Sequence, residues 1–158
     1  MTKSIISPAE VIATAFADGG YLAPDAISEA DIISATDRWV RPVVGQALLD
    51  AVAEGKYGEL KSNYLLPAVA YYTRFLVQPR LNSATSGLGL TVANGSAHKA
   101  ADRSAREELQ RALKVSARAA LRRLSDYLDE QKEQFAEYDA KKNILHHCCL
   151  EGGFVNVW

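Results

Sequence analysis

Residues 62–79 read SNYLLPAVAYYTRFLVQP. Leu65, Leu66, Val69, Tyr72, Phe75 and Leu76 recur every three or four residues, which is the helical period. Pro67 falls early enough to be tolerated, because the first turn of a helix has no use for its missing N–H. The spacing predicts a helix from Ser62 or Asn63 to Gln78-Pro79. Its apolar residues go nearly all round, so it needs neighbours on most sides. That reading decides the fold: this is the central buried helix, and other segments have to cover it.

Upstream, the segments have helical starts. Ser7-Pro8-Ala9-Glu10 combines a capping serine, a first-turn proline and the glutamate of a capping box. That helix is expected to run to Asp18 and stop at Gly19-Gly20. A loop over 21–27 with a Pro24-Asp25 turn follows. Ser28-Glu29-Ala30-Asp31 is a second cap, with Ile32, Ile33, Thr36, Trp39 and Val40 at helical spacing. Arg41-Pro42 is expected to end or kink that helix, since a residue before proline avoids the helical region. A third helix then spans Val43 to Glu54, before Gly55 and Gly58.

Downstream, residues 83–97, SATSGLGLTVANGSA, have three glycines and no charge. Gly87, Leu88, Leu90 and Val92 read as an extended, strand-prone arm. Residues from about 99 to 137 then form one long polar helix. Leu113, Ala117, Ala120, Leu124, Leu128, Gln131 and Phe135 make its narrow apolar stripe. Its alanines and Ser116 would let another helix approach closely. The chain ends in GGFVNVW, where Phe154, Val155, Val157 and Trp158 are strand formers. The expected fold is all-α: four short helices and one long C-terminal helix, with a small β-prone arm (86–94) and a β-prone tail. A single helical domain covers 1–142, with the arm inserted at 83–97, and the tail covers 143–158.

The composition suits a packed domain of 158 residues, 48% hydrophobic and 23% charged. The net charge of −1 gives no global pull towards nucleic acid or membrane. No apolar run approaches a membrane span, and the N-terminus lacks a signal-peptide core. The two cysteines, Cys148 and Cys149, are adjacent and imply no disulfide framework. The chain reads as made in the cytoplasm. Charge is segregated, however: residues 1–60 are net acidic, 99–123 net basic and 124–139 net acidic.

Four chemical readings of the motifs compete. Gly87-Leu88-Gly89-Leu90 lacks the Lys-Ser/Thr of a phosphate loop and the strand-then-helix setting of a dinucleotide site. His146-His147-Cys148-Cys149 offers four metal-ligand types, but adjacent residues point in different directions, whereas zinc ligands converge from spaced pairs. A thiol dyad of Cys148 or Cys149 with His147 has no oxyanion-hole signature beside it. Arg111, Lys114, Arg118 and Arg122 share one side of the long helix and could touch phosphates or a neighbouring subunit. Glu107 and Glu108 are placed to pair with Arg111. No enzyme, cofactor or metal is expected. The arm and the tail are instead expected to dock by strand addition, with each other or with a neighbour.

The order of elements resembles the head–tail connector (neck adaptor, head-completion) proteins of tailed bacteriophages, in the variety found in phages and prophages of Bacteroides-type bacteria. The residues that carry the likeness are Ile5-Ile6-Ser7-Pro8-Ala9-Glu10-Val11, Glu29 to Ile33 with Trp39-Val40, and Val43-Val44-Gly45. Leu65 to Tyr72, Gly87 to Val92 and Arg123 to Leu128 continue it. The resemblance implies a non-enzymatic virion protein with the portal and the tail or stopper proteins as partners. It implies a homo-oligomeric ring of about twelve copies, monomeric or not before assembly, through which DNA passes without specific binding. The alternative is a helical nucleic-acid-binding or regulatory protein that uses the basic face.

Overall fold

A computed structural model of the chain describes residues 4–17, 22, 24–82, 84–86, 89–91, 102–151 and 154–157. Helix α1 (Pro8–Ala15) begins at a complete capping box. Glu10 N donates to Ser7 Oγ at 3.3 Å, and Ser7 N donates to the Glu10 carboxylate at 2.7 Å. These bonds satisfy backbone donors that a helix start leaves without partners. The helix stops at Ala15 rather than Asp18, and Gly19-Gly20 lie outside the described residues. Arg74 closes α1 from below: its guanidinium donates to the Ala15 carbonyl and lies 4.6 Å over the Phe16 ring.

Helix α2 spans 29–44 and starts at a second capping box, formed by Ser28 and Asp31. It is α-helical over Glu29–Ala35, a wider π-turn over Thr36–Val40, and α-helical again over Arg41–Val44. The helix therefore does not end at Arg41-Pro42. Arg41 N bonds back to Thr36 O, five residues away, so the turn is wide where a proline ring would strike an ordinary helix. The chain breaks instead at Gly45, whose φ of 84° and ψ of 153° suit glycine alone. Helix α3 (Gln46–Ala53) follows.

The central helix α4 spans 58–81 and repeats the device of α2. Its π-turn is Lys61–Leu65, and Leu66 N reaches Lys61 O just before Pro67. Both ends differ from expectation. The helix starts earlier, at Gly58, and runs through Pro79 to Leu81, since a proline in the last turn forfeits a single ladder bond. Ala68, Val69, Ala70, Tyr72, Thr73 and Val77 are buried along it. It packs against α1, α2 and helix α5 (Arg103–Glu130), the central place that its all-round apolar pattern required.

Helix α5 is shorter than the expected 99–137. Its stripe is seated as foreseen at Leu113, Ala117, Leu124 and Leu128, and Leu121 joins it. Phe135 is buried too, but from the turn that follows a Lys132–Gln134 3-10 segment. Tyr57 folds over it: the rings meet edge-on with centroids 4.9 Å apart, and Tyr57 Oη donates to Glu137 Oε2 at 2.7 Å. The packed body continues past residue 142, with Asn143 fully buried and Leu145 against the core.

Strand β1 (Ala84–Ser86) pairs antiparallel with β2 (Gly89–Thr91), Ala84 opposite Thr91. Strand β3 (Cys148–Glu151) pairs antiparallel with β4 (Phe154–Val157), Cys148 opposite Val157. Among the described residues, arm and tail thus each pair within themselves and not with each other. A two-stranded ribbon is the shortest closure available to a strand-prone segment in a helical chain, because local pairing needs the least loop closure. No helix among the described residues is long and apolar enough to cross a membrane.

Candidate docking surfaces

The two ribbons are the first surface. Leu90 lies in β2, and Phe154, Val155 and Val157 lie in β4. Gly87, Leu88, Val92 and Trp158 lie outside the described residues. Among the described residues each sheet has two strands, so each strand has a neighbour on one side alone. The outer backbone groups of such strands can take a further strand.

The second surface is a groove of about 400 Å³ between α2, α4, α5 and the segment at 144–145. Trp39, Val43, Tyr72, Phe75, Leu121 and Leu145 form its floor. Trp39 stacks on Tyr72 with centroids 4.8 Å apart and planes 13° apart, and meets Phe75 edge-on at 5.9 Å. The guanidinium of Arg38 lies 4.9 Å from the Trp39 ring centroid. Burial pushes the Tyr72 hydroxyl up, and the charge of Arg118 beside it works the other way.

The groove gathers four cations: Arg38 from α2, with Lys114, Arg118 and Arg122 from α5. None of its described lining residues is acidic. Among the described residues none of the four makes an ion pair. Lys114, Arg118 and Arg122 follow one another at four-residue steps, where like charges cost about 0.2–0.5 kcal/mol a pair. Of the basic face, Arg111 is exposed but does not line the groove. Its expected partner Glu107 turns instead to Arg103, at 2.6 Å. Arg38 was not part of that face. Its only sequence signal is the Arg38-Trp39 pair within α2, and the wide turn before Pro42 carries it to the groove.

A second groove of about 410 Å³ lies between the N-terminal segment, α2 and α3. Two pairs of its polar side chains meet, Arg41 with Asp37 and Gln46 Nε2 donating to Asp50 Oδ1 at 2.6 Å, while Arg41 Nε is buried without a partner among the described residues.

The segment at His146 to Cys149 begins in a 3-10 turn over Ile144–His146 and passes into β3 at Cys148. His146 Nε2 sits 2.8 Å from Asp129 Oδ2, and its Nδ1 3.0 Å from the Ala140 carbonyl. His147 Nε2 meets the Lys141 carbonyl at 2.8 Å. The Asp129 contact ties the segment before β3 to the end of α5, and the other two fold it onto residues 140–141. Among the described residues no group of three or more His, Cys, Asp or Glu side chains gathers as a metal site would require.

Residues 34–147 match a family of unknown function, DUF6712. The match takes in α3, α4, α5 and the turns that follow, together with most of α2. No curated protein and no solved structure matches the chain.

Proposed function

The chain belongs to the DUF6712 family, and we propose that it is a non-enzymatic structural protein, a head–tail connector of a tailed bacteriophage. In this reading it forms a ring under the portal, joins the DNA-filled capsid to the tail, and resides in the neck of the virion after synthesis in the host cytoplasm. The observation that carries it is the pair of two-stranded ribbons on a helical body. A ribbon of two strands is marginal by itself in water and gains from a third. Strand addition supplies that third strand from a partner. The element order of connector proteins, with a capped first helix, a buried aromatic-rich helix, a glycine-rich strand segment and a long helix, supports the same reading.

The test is capture by the portal protein encoded beside this chain, with native mass measured before and after mixing. A complex of ring stoichiometry is expected. A monomer that ignores the portal but binds duplex DNA with a steep salt dependence would overturn the connector reading. It would favour the second reading, a helical nucleic-acid-binding or regulatory protein, which Lys114, Arg118 and Arg122, without an ion pair among the described residues, support.

A further inference from the structure

We propose that the basic groove receives the acidic C-terminal end of α5 from a second copy of the chain. The inference rests on the reading that these subunits dock on one another, and it names the contact. Arg38, Lys114, Arg118 and Arg122 gather around one groove with no acidic residue among its described lining. An arrangement that stacks like charges at successive helical turns calls for an anionic partner.

The groove favours protein over nucleic acid. Base stacking needs an open aromatic face. One face of Trp39 is covered by Tyr72, and Arg38 lies over the ring as well. Ile144, 38% exposed, adds an apolar edge that phosphates would leave bare.

The chain itself carries the complement. Asp126, Glu130 and Glu133 are exposed at the end of α5 and just beyond it, and none makes an ion pair among the described residues. They sit at the negative pole of the helix, where an acid is least at ease, and α5 has no basic residue in its last turn. Glu130 lies twelve residues beyond Arg118. On a helix that is about 18 Å along the axis and about a third of a turn round it. The acidic end therefore begins at Asp126, one turn beyond Arg122, and winds away from the groove by Glu130. A contact between two different patches repeats head to tail and closes as a ring if the rotation allows.

Two charge-reversed forms of the full chain test this: Arg118→Glu with Arg122→Glu, and Asp126→Lys with Glu130→Lys. All four side chains are exposed, and thermal melts check that both forms fold. Sedimentation velocity at low salt, from micromolar to millimolar protein, reads the association. The unaltered chain is expected to gain mass with concentration and to lose it as salt is added. Each reversed form is expected to associate at least about tenfold more weakly, and an equimolar mixture to recover assembly, because the reversed patches again match. A mixture no heavier than its components overturns the proposal, as does an unaltered chain that stays monomeric throughout or gains mass only with added DNA. Portal capture with the same preparations separates the two readings. Capture without self-association sinks the groove contact alone, and self-association without capture sinks the connector reading alone.

Discussion

Arg80, in the last turn of α4, forks onto Asp31, in the first turn of α2: Nη1 reaches Oδ1 at 3.0 Å and Nη2 reaches Oδ2 at 2.8 Å. Asp31 also accepts from Ser28 N at 2.9 Å, so a single carboxylate caps α2 and anchors it to the central helix. The Arg80 fork, helped by the Ser28 bonds, holds the Asp31 carboxyl down at about 2. A carboxyl whose folded value is depressed stabilises the fold above its unfolded value, and that contribution is lost as pH falls through the folded value. The melting temperature is therefore expected to fall between pH 4 and pH 2 more steeply in the unaltered chain than in Arg80→Gln. Replacing Arg80 is expected to cost about 1 kcal/mol at neutral pH, because water screens its half-exposed side chain. Parallel acid melts of the two chains check this, and equal slopes would remove Asp31 from the account.

Asn143 ties the C-terminal segment to α5. It has no exposed surface, and its Nδ2 donates to Ser125 Oγ at 2.7 Å and to Tyr138 Oη at 2.9 Å. Its Oδ1 accepts from Leu145 N at 3.0 Å. Asn143→Leu keeps the branched outline but leaves buried polar partners unanswered, a cost of about 2–4 kcal/mol. The expected drop in melting temperature is about 4–16 °C for a chain of this size. Tyr138 shares the network and donates to Asp129 Oδ1 at 2.9 Å. Burial above all pushes its hydroxyl up to about 12. A raised value stabilises the fold below the ordinary tyrosine range, and the contribution is lost as pH climbs towards 12. Tyrosinate absorbance in an alkaline titration is expected to show several late-ionising rings, Tyr72 among them, and one fewer in Tyr138→Phe.

The helices were legible because their causes are local. Ser7 with Glu10 and Ser28 with Asp31 cap within four residues, and the all-round apolar pattern of 65–76 requires a central position. Prolines misled for a physical reason. Pro42 reads as a helix boundary when the ladder is assumed to be four-residue throughout. The bonds from Arg41 to Thr36 and from Leu66 to Lys61 reach five residues, and nothing in the local sequence announces them. Pro79 was misread because a last-turn proline costs a single bond. The groove was half visible. The α5 cations share one side by spacing, but Arg38 comes from another helix 76 residues before Lys114, and only tertiary packing unites them.

Gly45 separates α2 from α3 with φ 84° and ψ 153°. A Cβ built there meets nothing within 4 Å, so any penalty for a side chain comes from the backbone alone. Gly45→Ala is expected to destabilise the fold by about 1–3 kcal/mol. Urea unfolding separates this from a change in compactness: the midpoint is expected to fall at unchanged slope. An unchanged midpoint would mean that the joint relaxes into an ordinary conformation without loss.

The arm provides the most direct test of docking by strand addition. Leu88, Leu90 and Val92 carry the apolar character of the glycine-rich segment, and the triple aspartate variant places three like charges on it. The helical core lies elsewhere, in α1 to α5, so the melting temperature of the isolated chain is expected to change by no more than a few degrees. Capture by the portal is expected to disappear, because an apolar edge that took a partner strand becomes a charged one, the device by which natural edge strands avoid pairing. Circular dichroism checks the first expectation and pull-down the second. Capture that survives all three aspartates would show that the arm is not a docking element and would pass the role to the tail ribbon, where Phe154, Val155 and Val157 are the residues to change next.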